Sequence, residues 1–393
     1  MRETTEYSRI SCLIDTNVVP FVNEALEDLG IPEVFVQRSK QVGLLDRSAW
    51  FGLRPPTRTE EARASVYRFY VPPRFEEGVM RRIAEAADLF LPGHGSVFAE
   101  TAQLSRSASL EFDEERLEHR CGAPEKSAVP ENYAMLSCVV QRGMAAALAE
   151  TVLDMGLCVP SVSFGRGLGL RDRLGLLRVT IPVEKEVVYF LVPRTDVELL
   201  EGIIVRKGRL DLPGQGFIFR RYVRALTVNV RVRRGKRRQN AATMDQVVAA
   251  MDAVQGSSNW RRVDTRRQSR AAAAKTDSFV CLCLITDEGS ADAFGKAAMD
   301  AGANGATLVP LECRSYNAEQ EVRVASRARE SIDLVIPKAV QETVLERLET
   351  EGLFESENAG ILGVIDVQKA TTDAGRAQKP SLFGNFHFPS RKR

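Results

Sequence analysis

Two glycines flanking a single residue occur twice in this chain, in LPGHGSVF (Leu91–Phe98) and LPGQGFIF (Leu212–Phe219). Glycine at Gly93 and Gly95, and again at Gly214 and Gly216, lets neighbouring backbone N–H groups converge on one concavity, which suits an anion such as phosphate. A third glycine cluster, SFGRGLGL (Ser163–Leu170), sets Arg166 between Gly165 and Gly167, a combination fitted to a phosphate or carboxylate ligand. PVEKEVVYFLVP (Pro182–Pro193) puts Lys185 where a strand begins. Lys185 is a candidate anion contact, or one of several alternating charges on an exposed strand face. From Arg220 to Arg238 there are nine Arg or Lys and no acid, Arg231 and Arg233 among them. That block attracts polyanions or forms a solvated strand end and linker.

Other chemistry has little to stand on. The three histidines, His94, His119 and His387, are dispersed, and the seven cysteines contain no CxxC pair. Neither pattern predicts a metal site or a disulfide framework. No paired acid and base and no activated nucleophile recurs along the chain, so a catalytic enzyme is not expected. The longest apolar runs fall short of the roughly 20 residues that span a bilayer. The first residues, MRETTEYSRI, have no signal-peptide character, and the expectation is a cytoplasmic protein.

The elements that must position these motifs repeat three times. From Pro72 to Gly93, Pro193 to Gly214 and Pro337 to Asn358 the separation is 21 residues in each case. The stretch before each proline varies in length, as a loop does after duplication. Each copy opens with an apolar strand (SRISCLID, YAMLSCVVQ, SFVCLCLIT). A helix follows, as in Met144, Leu148, Val152 and Met155 at helical spacing, and stops at a glycine. Two strands, a second helix opened by proline and a fourth strand complete the unit. The expected fold class is therefore α+β: three tandem ferredoxin-like βαββαβ units packed face to face. The units cover 1–102, 132–234 and 277–370. They are joined by linkers 103–131 and 235–276, the second with one short helical stretch, and followed by a tail, 371–393, expected to be disordered.

The second copy resembles the PII signalling family, and in particular its PII-like branch. The resemblance rests on GRG at 165–167, PVEKE at 182–186 and LDLPGQGFIF at 210–219, in order and at matching spacing. The third copy adds GANGAT (Gly302–Thr307) and the first adds LPGHGSVF. Members of that family are homotrimers of a ferredoxin-like unit. They bind ATP or ADP between subunits, often with 2-oxoglutarate and magnesium, and signal through a flexible loop. The resemblance implies an intramolecular pseudotrimer, monomeric overall, with three such loops at 39–65, 165–183 and 310–329. It implies nucleotide-phosphate contacts at Gly165, Arg166, Gly167, Gly93, Gly95, Gly214 and Gly216. It places Lys185 near the family's 2-oxoglutarate lysine and offers Arg231 and Arg233 as its terminal arginine pair. The chain departs from the pattern at Ser96 and Phe217, where nucleotide-binding members carry lysine. It departs again at Gly167, where they carry the glutamine that helps hold 2-oxoglutarate and magnesium.

The function expected is thus non-enzymatic regulation. An adenine nucleotide would occupy one or two inter-repeat clefts, and the loops would engage a regulated enzyme or transporter without membrane insertion. The rivals are a ligand-free structural adaptor and, behind it, nucleic-acid binding through residues 220–238.

Overall fold

The computed structural model describes residues 4–45, 58–106, 110–122, 132–169, 183–212, 214–229, 278–316, 327–355 and 360–371. The first third of the chain runs β1 (Thr5–Asp15), α1 (Val19–Leu29), β2 (Val34–Leu45), β3 (Arg58–Val71), α2 (Glu76–Ala86) and β4 (Gly95–Arg106), followed by α3 (Glu114–Cys121). The second runs β5 (Tyr133–Gln141), α4 (Ala145–Met155), β6 (Ser161–Leu168), β7 (Glu184–Pro193), α5 (Val197–Gly208) and β8 (Gly216–Thr227). The third runs β9 (Phe279–Asp287), α6 (Ala291–Asp300), β10 (Ala306–Arg314), β11 (Arg327–Pro337), α7 (Gln341–Thr350), β12 (Ile361–Val367) and β13 (Lys369–Thr371).

These strands do not form three separate ferredoxin-like sheets packed face to face as a pseudotrimer; that expectation is corrected here. All thirteen are hydrogen-bonded into one antiparallel sheet, and 47% of the structure is strand. Ten of them close a barrel in the order β2-β10-β11-β9-β12-β4-β8-β5-β7-β6, with β6 returning to β2. Strands β1, β3 and β13 are additional to that ring. The physical reason lies at the strand ends. A four-stranded unit would expose two long edges of unpaired N–H and C=O groups. Here β2, β6 and β10 pair with one another (Ser39↔Ser163, Thr307↔Gly167, Cys313↔Phe35). On the other side β8 runs onto β4 (Val97↔Thr227), β4 onto β12 (Ile361↔Arg106) and β13 onto β8 (Thr371↔Ile218). Hydrogen-bonded edges, rather than apolar faces alone, join the thirds of the chain.

Strand alternation then divides the core. On β1 the even positions Ile10, Cys12 and Ile14 meet Val22 and Leu26 of α1 and Met80 and Ile83 of α2. Equivalent helix-covered clusters form around Leu136, Phe190, Leu148 and Leu200, and around Leu282, Leu334, Phe294 and Leu348. The opposite strand faces pack on each other. One cluster joins Phe35, Tyr70, Phe219 and Ile365; another joins Leu13, Phe98, Met135 and Val223. The linker expected at 103–131 contributes more than a tether. Leu117 of α3 is buried in the first cluster, and Arg116 donates to the carbonyls of Glu27 and Asp28 at the end of α1. A basic side chain there satisfies terminal carbonyls that the helix leaves open. Among the described residues no helix is long and apolar enough to cross a membrane.

Candidate functional site

The two glycines of each GxG turn do different jobs. Gly93 and Gly214 have φ of +96° and +75°, and a Cβ built on either meets nothing within 4 Å. Their requirement is backbone conformation, and the space beside them is open. Gly95 and Gly216 are packed against the first strand of their own third. A Cβ on Gly95 would lie 2.5 Å from the Leu13 carbonyl oxygen, and one on Gly216 2.1 Å from that of Val139. Gly360 also leaves no room for a Cβ, but its neighbour is different: the Leu353 carbonyl oxygen in the turn after α7, 1.9 Å away. The second glycine is thus a close-approach residue, kept in all three thirds, whereas Asn358 lies outside the described residues.

The first turn already holds an internal group. Asn229, buried just past the end of β8, accepts a hydrogen bond from the Gly93 N–H through Oδ1 at 2.9 Å. Its Nδ2 donates to Gln41 Oε1 at 3.3 Å, and its own N–H donates to Ser96 Oγ at 2.7 Å. Thr227, two residues earlier, accepts from the Val97 N–H at 3.0 Å. An amide oxygen therefore sits where an anion would meet the Gly93 N–H. Truncation of Asn229 to alanine strands that donor and the Gln41 acceptor. The expected cost is about 1–3 kcal/mol, read as a lower urea midpoint at unchanged m-value.

The second turn is the one that gathers the predicted residues. Gln141 ends β5 and donates through Nε2 to the Gly214 carbonyl at 2.9 Å. Gln141 faces Lys185 across β5 and β7, and Lys185 faces Gly165 across β7 and β6. The Lys185 stem passes so near Gly167 that a Cβ there would lie 2.9 Å from Cε. Gly165, Gly167, Lys185, Gly214 and Gly216 thus form one row across the ends of β6, β7, β5 and β8, all half-buried. Gly165 has a packing role too, since a Cβ there would lie 2.5 Å from the Leu308 carbonyl oxygen of β10. Arg166 is not part of the row. It pairs with Asp292 at 3.3 Å and Glu330 at 3.7 Å in the last third of the chain. Arg231 and Arg233 lie outside the described residues, as do 46–57, 170–182 and 317–326 of the three signalling-loop segments; the rest of segment 39–65 is strand in β2 and β3.

Other charged motif residues are internal. Glu186 of PVEKE accepts from the N–H groups of Gly143 and Ala145 at 3.0 and 2.8 Å, capping the start of α4. Glu330 does the same for Gly289 and Ala291 at α6, at 2.9 and 3.2 Å. These helix starts are occupied by the protein's own carboxylates. In the basic block, Arg220 pairs with Glu198 at 2.6 Å and Arg224 with Glu76 at 2.5 Å. Arg221 pairs with Glu100 at 3.2 Å. Three of the nine cations therefore serve the fold rather than a polyanion.

Arg221 belongs to a charged layer on the strand faces turned away from the helices. Glu100 Oε2 takes Arg9 Nη2 at 2.5 Å as well as Arg221, while Arg9 Nη1 donates to Cys283 Sγ at 3.0 Å. Arg9, Glu100 and Arg221 are only 4%, 2% and 6% exposed, so no solvent screens the group. Burial by itself would raise the Glu100 carboxyl, but Arg221 and Arg9 outweigh it and hold the group below its ordinary value. Cys281 stands 3.6 Å from Cys283, sulfur to sulfur. The hydrogen bond from Cys281, helped by the Arg9 charge and opposed by burial, holds the Cys283 thiol below its ordinary range.

Motif reading missed Asn229, Glu186 and this layer. One signal was present: Arg9 and Ser11, like Cys281 and Cys283, sit two apart in apolar strands and so share a face. Which strands would face them was not in the sequence. Comparison of the chain with protein-family models and with curated proteins found no match.

Proposed function

We propose that this chain is a non-enzymatic regulatory protein that binds one small phosphate-bearing ligand, an adenine nucleotide such as ATP or ADP, at the row ending in the second glycine turn. One observation carries the reading: Gly165, Lys185 and Gln141 are paired in register across β6, β7 and β5, with Gly167 against the Lys185 stem and the Gly214 carbonyl held by the Gln141 side chain. A lysine in the neighbouring strand end supplies positive charge, and the open space beside Gly214 leaves room for an anion at the turn. The resemblance to PII-like proteins is part of this proposal. So is a regulated enzyme or transporter as partner, met through the segments between β2 and β3, β6 and β7, and β10 and β11. A ligand that favours one arrangement of the protein over another would shift the population competent to dock. Free thiols at all seven cysteines suit a reducing, cytoplasmic setting.

A second reading, a ligand-free adaptor, is favoured at one place, since Asn229 fills the first turn from within. Isothermal titration with ATP, ADP, AMP and cyclic AMP, with and without magnesium and 2-oxoglutarate, separates the two. The expected result is one site per chain. Gly214→Asp should abolish it, because aspartate tolerates the left-handed backbone, finds open space and repels phosphate. Gly93→Asp should leave it unchanged. Binding that survives Gly214→Asp removes the assignment of the turn, and no heat with any ligand leaves the adaptor.

A further inference from the structure

The layer around Arg9 contains a donor set that the regulatory reading does not use. Cys281 and Cys283 project from the same face of β9, and Asp333 stands directly opposite Cys283 on β11. The two sulfurs and an Asp333 carboxylate oxygen all lie within 4.8 Å of one another. The sulfur separation is 3.6 Å. A tetrahedral ion bound to two thiolates at about 2.3 Å sets its sulfurs roughly 3.8 Å apart, so the pair already has the required span. A carboxylate supplies a third donor of a kind zinc accepts, and a fourth tetrahedral position is left for a water. One further feature supports the site: Arg9 donates to Cys283 Sγ, the kind of outer contact that orients a metal thiolate.

The charge balance also allows it. With neutral thiols, the charges facing the pair are Glu100 and Asp333 against Arg9, Arg68 and Arg221. Exchanging the two thiol protons for one divalent ion leaves that balance unchanged, so the buried layer gains no net charge. The atoms balance as one M²⁺ bound and two H⁺ released, with no change of oxidation state.

We propose that Cys281, Cys283 and Asp333 form a structural site for one zinc-like divalent ion inside the barrel, loaded as the chain folds. The test uses the full chain. Metal content is measured on protein as purified, and again after unfolding and refolding with Co²⁺ under reducing conditions, with circular dichroism confirming the fold. The proposal expects about one ion per chain and a cobalt–thiolate charge-transfer band. Cys283→Ser should lose the band and reduce the stoichiometry at least tenfold. Asp333→Asn, which keeps the volume, should weaken cobalt binding at least tenfold. Cys313→Ser, at a half-buried thiol elsewhere, should change neither. A folded wild-type chain that takes up no cobalt overturns the site, as does a band that persists in folded Cys283→Ser or Asp333→Asn protein at unchanged affinity.

Discussion

Glu100→Ala is expected to lower the stability of the folded chain by about 3–5 kcal/mol, measured by urea unfolding at neutral pH. The size follows from what remains. Arg9 and Arg221 both end on Glu100 Oε2, at 2.5 and 3.2 Å, in a region that water does not reach. Removal of the carboxylate leaves two guanidinium groups buried; their remaining hydrogen-bond partners among the described residues are the Cys283 sulfur and the Ser137 hydroxyl, with the Phe219 ring beside Arg221. Combining Glu100→Leu with Arg9→Met and Arg221→Met should recover most of the loss, since apolar replacements leave no stranded charge. A cost under about 1 kcal/mol for Glu100→Ala would mean that water enters the layer and that the triad is not desolvated. The same group gives a pH dependence. The folded-state value is depressed below the ordinary 4.5. The contribution of Glu100 is therefore complete above pH 4.5 and is lost as pH falls below it toward the folded value. In Glu100→Gln protein that part of the acid sensitivity should disappear.

Gly216→Ala is expected to be nearly as damaging, at about 2–6 kcal/mol. The added Cβ would lie 2.1 Å from the Val139 carbonyl oxygen, in a residue held at φ +139°. Strand β5 would have to move from β8, and the Val140↔Gly216 pairing would be broken. Gly214→Ala, two residues earlier in the same turn, should cost only about 1–2 kcal/mol. It has the left-handed backbone to strain and nothing to strike. Thermal unfolding of the two variants side by side distinguishes a packing glycine from a conformational one. Equal losses would show that the turn responds to φ alone.

This pair of glycines also shows how far motif reading reaches. Sequence supplied a repeated GxG at a fixed distance from proline, and both glycines could be taken as ligand contacts. In the fold only the first borders open space, and the second is where one strand meets the backbone of another. The row from Gly165 to Gly214 was legible piecemeal, as GRG, Lys185 and PGQG. Their adjacency depends on register between β6, β7, β5 and β8, which spacing along the chain does not encode. Arg166 reads as a ligand contact because it stands between glycines. Alternation turns it to the other face of β6, where Asp292 and Glu330 are waiting. Asn229 carries no motif at all, and 136 residues separate it from the Gly93 N–H that it caps.

By itself the sequence determined the threefold recurrence, the placement of strands and helices within each third, the capping glycines and the alternation that sends Cys12 toward helices and Arg9 away from them. Those features are local: they follow from periodicity, from backbone conformation and from the two-residue repeat of a strand. Only the tertiary structure decided that the thirteen strands form one sheet closed as a barrel rather than three ferredoxin-like units. It alone decided that an amide fills one glycine turn, and that Arg9, Glu100, Arg221, Cys281, Cys283 and Asp333 share one buried layer. The reason is that edge strands have no preference written in their side chains for a particular partner. Their backbone donors and acceptors must be paired, and any strand of matching direction can pair them. Which strand does so is settled by the geometry of the whole chain.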